Sequence, residues 1–375
     1  MSAIKLGFVG YGGSARFFHL PYILPNPDLE VYAFLQRSEA PSDPSAAKPG
    51  AHCTVDFPKA KHCRTAEDFF ADPNIELVIV CTHTNTHSEF AERALRAGKH
   101  VVVEKPFTTS SEEADRLIAL SKEKGKYLTV FQNRRYDGDF MTLKHLLAKN
   151  ALGTITEAEI HYDFENPPWL HYMDAKKYTP GDGMMFGLGS HSIDQALVLF
   201  GRPKSVTAIL RDLRGADSEV EDTFTIVLLY DSPLLVTVKT TITTCMKEQL
   251  HYFVRGTEGS YIKVLMNARH IQEAQSIVGM ASDDPKFGVE DVSLHGLLTT
   301  YAEFDKTQSY DSEHKKYVGR YPTITGRIRG YYEDVVDAIR GKGPLQVEAQ
   351  QSREGIRIME LARQSHDTGA TVPWS

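Results

Sequence analysis

Across the first third of the chain, short apolar runs alternate with segments of helical spacing, and few folds accept that order. The runs are IKLGFVG (4–10), LEVYAFLQR (29–37), IELVIVCT (75–82), HVVVEKP (100–106) and YLTVFQN (127–133). Between the third and fourth, Ala91, Ala94 and Leu95 recur at helical spacing. After the fourth, SSEEADRLIALSKEKG opens on a serine cap with acids in its first turn. Strands separated by helices of this length pair in parallel through right-handed crossovers. The expectation is a doubly wound parallel sheet, whose ligands lie outside the carboxyl ends of its strands. Glu104 and Lys105 leave the fourth run at such an end.

The first turn supports a particular ligand. Gly10-Tyr11-Gly12-Gly13-Ser14-Ala15 follows the first run with the pattern G-x-G-x-x-A. Gly10 suits a tight turn, Gly12 lets the backbone approach a pyrophosphate, and Ala15 allows close packing of helix on strand. Gly13 and Ser14 open the helix whose free N–H groups face the phosphates. The second run ends in Gln36-Arg37-Ser38, with the first acid, Glu39, beyond the place where an NAD site carries its carboxylate. A guanidinium and a hydroxyl suit a 2′-phosphate. The cofactor expected is therefore NADP rather than NAD.

Bulk properties bound the remainder. A chain of 375 residues exceeds one ordinary core. A net charge of -7 argues against general affinity for nucleic acid or anionic membranes. Cys53, Cys63, Cys81 and Cys245 form no disulfide framework. The pairs His52-Cys53 and His62-Cys63 match no zinc spacing, so no metal is expected. No apolar run is long enough to span a bilayer, and since the chain enters a strand at once, no signal segment is expected. A reducing cytoplasm is the expected compartment.

With the glycine fingerprint, TNTH (84–87) after a central strand, and Glu104-Lys105-Pro106, the chain resembles the Gfo/Idh/MocA oxidoreductases. The likeness continues through FQNRRYDGDF (131–140), GSHSIDQALVLFG (189–201) and RGTEGSY (255–261). It looks most like the NADP-preferring branch that includes scyllo-inositol dehydrogenases. The resemblance implies a Rossmann domain over 1–133, a substrate domain over 134–345 on a large open, mostly antiparallel sheet, and a C-terminal helix over 346–375 packing back towards the first domain. It also implies cofactor contacts at Thr82, Asn85, His87, Glu104, Lys105 and Asn133. The β-rich segments TITEAEIHYDF, KSVTAILRDL, DTFTIVLLY, LLVTVKTTIT and HYFVRG with SYIKV agree with such a sheet. Residues 41–58 read as a Pro-rich surface loop.

Hydride transfer at a carbinol needs a proton moved at the same carbon's oxygen, and Lys105 is the expected acid/base or carbonyl polariser. In the family a histidine stands at the place of His191, with an aspartate four residues earlier. Here that place is Gly187, so His191 lacks its usual carboxylate. Asp194 lies one helical turn beyond, and Asp182 or Asp174 are further candidates. Tyr162, Trp169 and Asp194, with Lys105 and His191, are the expected substrate contacts; aromatics with His and Asp suit a sugar or cyclitol ring. Arg134 and Arg135 are expected to pair with carboxylates rather than substrate.

The resulting expectation is an NADP-dependent oxidoreductase of a sugar, cyclitol or related polyhydroxy or carbonyl compound, with Lys105 as acid/base and His191 assisting. Homo-oligomers, dimeric or tetrameric, through the open sheet are implied by family habit. Two rivals share the fold: a non-catalytic NADP- or sugar-sensing regulator, and a reductase of a non-sugar carbonyl or imine that needs Lys105 alone.

Overall fold

The computed structural model describes residues 2–167, 176–215, 217–266 and 270–374. Two compact units emerge. The first comprises Met1–Gln132, Ser276–Pro285 and Arg329–Arg353; the second comprises Asn133–Gln275, Lys286–Ile328 and Glu354–Ser375.

The first unit holds a six-stranded sheet of β1 (Ile4–Val9), β2 (Leu29–Leu35), β3 (Lys61–Cys63), β4 (Leu77–Val80), β5 (His100–Val103) and β6 (Leu128–Val130). Its order is β3-β2-β1-β4-β5-β6, parallel throughout. Every residue of β4 is buried and so are the three valines of β5, because helices cover both faces. The strand order reverses between β1 and β4, and ligands of such sheets bind at that reversal. Helix Ser111–Lys124 starts as its sequence suggests: Ser110 accepts a hydrogen bond from the Glu113 N–H at 3.2 Å. It ends on Gly125 at φ 60°, the left-handed conformation that glycine adopts without cost.

The stretch 41–58 is more than a surface loop. It carries a 3-10 turn at Pro44–Ala46 and a helix at Cys53–Asp56, and it buries His52 and Cys53. The short strand β3 beyond it has no apolar run to announce it.

The second unit holds a ten-stranded sheet. Its strands are β7 (Ile155–His161), β8 (Ser205–Arg211), β9 (Thr223–Leu229), β10 (Leu235–Thr240), β11 (Glu248–Gly256), β12 (Gly259–Met266), β13 (Leu297–Thr300), β14 (Ser309–Asp311), β15 (Lys316–Arg320) and β16 (Val372–Pro373). The order is β14-β15-β13-β12-β11-β7-β10-β9-β8-β16. Only β7 and β10 pair in parallel. Strands β8 and β9 alternate buried and less buried residues, as a sheet with one core face requires. The strands β13 to β16 are too short or too polar to read from the sequence. Among the described residues no helix is long and apolar enough to cross a membrane.

Candidate active site

In the first unit the glycine turn has the geometry its pattern predicts. Gly10 sits at φ 97°, and a Cβ there would lie 2.8 Å from the Cys81 carbonyl oxygen, so only glycine fits. A Cβ on Gly12 would meet nothing within 4 Å. That open space beside a backbone turn leaves room for a pyrophosphate, and the residues present fit a dinucleotide. Gly13 would meet only the Phe17 ring at ordinary contact distance, and Ala15 is fully buried against the sheet.

The helix that follows is not a regular α-helix. Ser14–His19 forms a π-turn before Leu20–Ile23 resumes α geometry. Five residues turn about 140° past one another in an α-helix, whereas i→i+5 bonding brings them onto one face. Ser14 and His19 are five apart, and both bond the same oxygen of Glu104. Ser14 donates its hydroxyl proton to Oε1, and His19 Nε2 lies 3.0 Å from it. His19 Nδ1 in turn bonds the Tyr332 hydroxyl, and its ring packs 4.1 Å from the Phe131 ring centroid.

Glu104 is thus a buried carboxylate with its partners in place. Its Oε2 accepts the Lys105 backbone N–H at 2.9 Å. Burial by itself raises this carboxyl, but the hydrogen bond and charge of His19, with Lys105 and Ser14, bring it down to about 2. Glu104 therefore stays ionised beneath the turn, and Lys105, only partly buried, projects from the carboxyl end of β5. The Lys105–Pro106 peptide is cis. His19 and Tyr332 escaped the sequence reading; no motif marks a tyrosine more than 300 residues away.

The other predicted nucleotide residues divide by exposure. Asn85 is exposed and Thr82 half-buried after β4, the latter's hydroxyl bonded to Thr86 at 2.8 Å. His87 is buried instead. Its ring nitrogens face the carbonyls of Thr82 at 3.1 Å and Pro106 at 2.8 Å, so it ties the loop after β4 to the Lys105 turn. Arg37 and Ser38 are exposed beyond β2. Their loop is held by the histidines first considered as metal ligands: His62 donates to the Gln36 carbonyl at 2.9 Å, and His52 Nε2 lies 3.4 Å from the Ser38 carbonyl. Glu39 accepts a hydrogen bond from Arg64 at 2.9 Å.

In the second unit, a π-turn at Met185–Gly189 leads into helix Ser190–Phe200, which carries His191. His191 is buried, its ring 6.1 Å from that of Tyr162. A Cβ on Gly187 would meet nothing within 4 Å, so the missing carboxylate leaves room for a side chain. Asp194 is taken by Arg135 in a bidentate pair at 2.7 and 2.6 Å. Asp182 caps a turn by accepting the Thr179 N–H at 3.1 Å.

Arg134 bonds Asp137, Glu273 and the Tyr162 hydroxyl, and burial pushes that phenol up. Both arginines thus pair with carboxylates. Asn133, buried, begins the second unit. Sequence reading missed Glu221, which accepts the Met185 N–H at 3.0 Å and pairs with Arg363. Trp169 and Asp174 lie outside the described residues.

Comparison with known proteins agrees with both units. Residues 4–132 match the oxidoreductase family with an NAD-binding Rossmann fold, and residues 140–262 match the GFO/IDH/MocA C-terminal domain. An uncharacterised oxidoreductase of Schizosaccharomyces pombe is 37% identical over the whole of both chains. The scyllo-inositol 2-dehydrogenase (NADP(+)) IolW of Bacillus subtilis is 32% identical, over 99% of this chain and 96% of that one. The solved structure of the oxidoreductase YvaA from Bacillus subtilis superposes with a TM-score of 0.86 at 30% identity, covering 100% of this chain and 99% of the other. With the fingerprint at Gly10, the Glu104-Lys105 strand end and matches in both units, this chain belongs to the Gfo/Idh/MocA oxidoreductases, as an NAD(P)-dependent dehydrogenase or reductase.

Proposed function

We propose that the chain is an NADP-dependent oxidoreductase acting on a sugar, cyclitol or related polyhydroxy or carbonyl compound. The observation that carries this reading is Glu104, a buried carboxylate held ionised by His19, Ser14 and the Lys105 amide. A carboxylate fixed so firmly under a strand end is an orienting group, and the neighbour it orients is Lys105. In this reading Gly10, Gly12, Gly13, Ser14 and Ala15 hold the pyrophosphate, Arg37 and Ser38 hold the 2′-phosphate, and Thr82, Asn85 and Asn133 line the remainder. The bound nicotinamide supplies or accepts the hydride. Lys105 moves the proton at the substrate oxygen or polarises its carbonyl; His191 assists, and Tyr162 contributes to the substrate wall. The NADP-dependent inositol dehydrogenase among the relatives supports both the cofactor and the substrate class. The ten-stranded sheet is the proposed face for homo-oligomer formation.

One observation favours the reductase that needs Lys105 alone: position 187 is glycine and Asp194 is committed to Arg135, so neither serves His191 as a carboxylate. Comparing Lys105→Met with His191→Ala decides between them. A loss of turnover in both variants, with NADPH binding retained, supports the pair. Loss in Lys105→Met alone supports the reductase. Full activity in both contradicts either reading.

A further inference from the structure

The second unit holds a further buried cluster. Asp139 on helix Gly138–Ala148, His251 on β11 and His270 just before helix Ile271–Ile277 bring one ligand-type atom each to within 4.8 Å of the others. All three side chains are buried.

The local structure is built to aim them. Strand β11 shifts register against β12 between Leu250 and Tyr252, a bulge centred on His251. Consecutive residues His251 and Tyr252 are consequently both buried, which breaks the alternation of the rest of the strand. His251 Nδ1 donates to the His161 carbonyl at 2.7 Å, so its neutral ring turns a bare lone pair inward at Nε2. That lone pair faces Asp139 Oδ2 at 3.3 Å, and His270 Nδ1 lies 3.3 Å from the same oxygen. Asp137 Oδ2 stands 3.1 Å from His270 Nδ1. His251 Nε2 and His270 Nδ1 are buried with no hydrogen-bond partner. Among the described residues Asp139 forms no ion pair with lysine or arginine, although a buried carboxylate needs a cation.

Ligand atoms placed tetrahedrally at about 2.0–2.1 Å from zinc stand about 3.3–3.4 Å apart. The spacings around Asp139 Oδ2 match that edge. We propose that His251, His270 and Asp139 bind a divalent transition-metal ion, zinc first, leaving one coordination position open. The His161 carbonyl is the outer partner that fixes the tautomer of His251. Two imidazoles and a carboxylate suit zinc over magnesium or calcium, which prefer oxygen ligands. The sequence could not announce the site, since its ligands come from three separated elements and one depends on a bulge.

The test is a Co²⁺ titration of the chelator-treated full chain, followed by visible ligand-field absorption and then by Zn²⁺ displacement. The expected result is one equivalent of Co²⁺ with tetrahedral-type bands, displaced by Zn²⁺. His251→Gln and Asp139→Asn should weaken it beyond the ~10–100-fold that loss of an outer partner costs. His52→Gln, in the other histidine cluster, should leave it unchanged. Zinc should also raise the thermal midpoint of the wild type, a readout that needs no variant. Absence of a saturable band in the wild type would overturn the proposal. So would a band that survives His251→Gln in a folded variant.

Discussion

Glu104 shows how one residue converts a strand end into a site. Its carboxyl lies well below the range of an exposed glutamate, so the ionised form stabilises the fold. The sign follows from that depression. The contribution is present in full above the unfolded value near pH ~4.3 and is lost as pH falls towards about 2, with a ceiling on the order of 3 kcal/mol. Urea unfolding between about pH 5 and pH 2.5 should therefore show a steeper loss of stability in the wild type than in Glu104→Gln; parallel slopes would place the stabilisation elsewhere. At Lys105 the prediction concerns rate. Lys105→Met should lower turnover by about 10²- to 10⁴-fold, the usual worth of a positioned acid/base, while NADPH binding holds within a few-fold. Gly12 separates folding from binding. A Cβ there meets open space, so Gly12→Ala should keep the wild-type thermal midpoint yet weaken NADPH binding by at least about tenfold, measured by fluorescence titration. The sequence made Gly10, Gly12, Glu104 and Lys105 legible because each belongs to a local pattern. His19 and Tyr332 were illegible because their role needs a π-turn and a partner far along the chain.

Among the elements, irregular turns carry as much of the site as regular ones. The π-turn at Ser14–His19 puts two side chains on one oxygen, and the π-turn at Met185–Gly189 leads into the helix of His191. Sequence periodicity reports α-helices and strands, so single π-turns and the bulge at His251 lie beyond its reach. The loop after β2 gives the clearest prediction at this scale. Two buried or half-buried histidines brace its backbone carbonyls, while Arg37 extends into solvent. A charge-assisted hydrogen bond is worth about 1.5–3 kcal/mol, so Arg37→Ala should weaken NADP⁺ binding by about 10- to 150-fold and leave NAD⁺ unchanged. Equal losses for both nucleotides would remove Arg37 as the reader of the 2′-phosphate. His52 and His62, whose spacing with Cys53 and Cys63 matched no zinc pattern, brace that loop through the Ser38 and Gln36 carbonyls.

The whole molecule combines a sheet of six parallel strands with one of ten strands in which a single pair is parallel. The first was legible in five of its six strands, because buried parallel strands are continuous apolar runs with helices between them; β3 (Lys61–Cys63), short and polar, was not. The second was legible in its middle, β7 to β12, where alternation is regular. Its edges were not, because the short strands β13 to β16 take their pairing from neighbours that the sequence does not juxtapose. The function proposed for the whole rests on two selectivities, for NADP and for a polyhydroxy or carbonyl compound. Steady-state reduction of NADP⁺, with NAD⁺ in parallel, over a panel of inositols, aldoses and polyols tests both at once. The account predicts turnover with NADP⁺ on one polyol class and much weaker turnover with NAD⁺. Tight NADPH binding without turnover on any member, in either direction, would contradict it and make the chain a nucleotide-binding regulator.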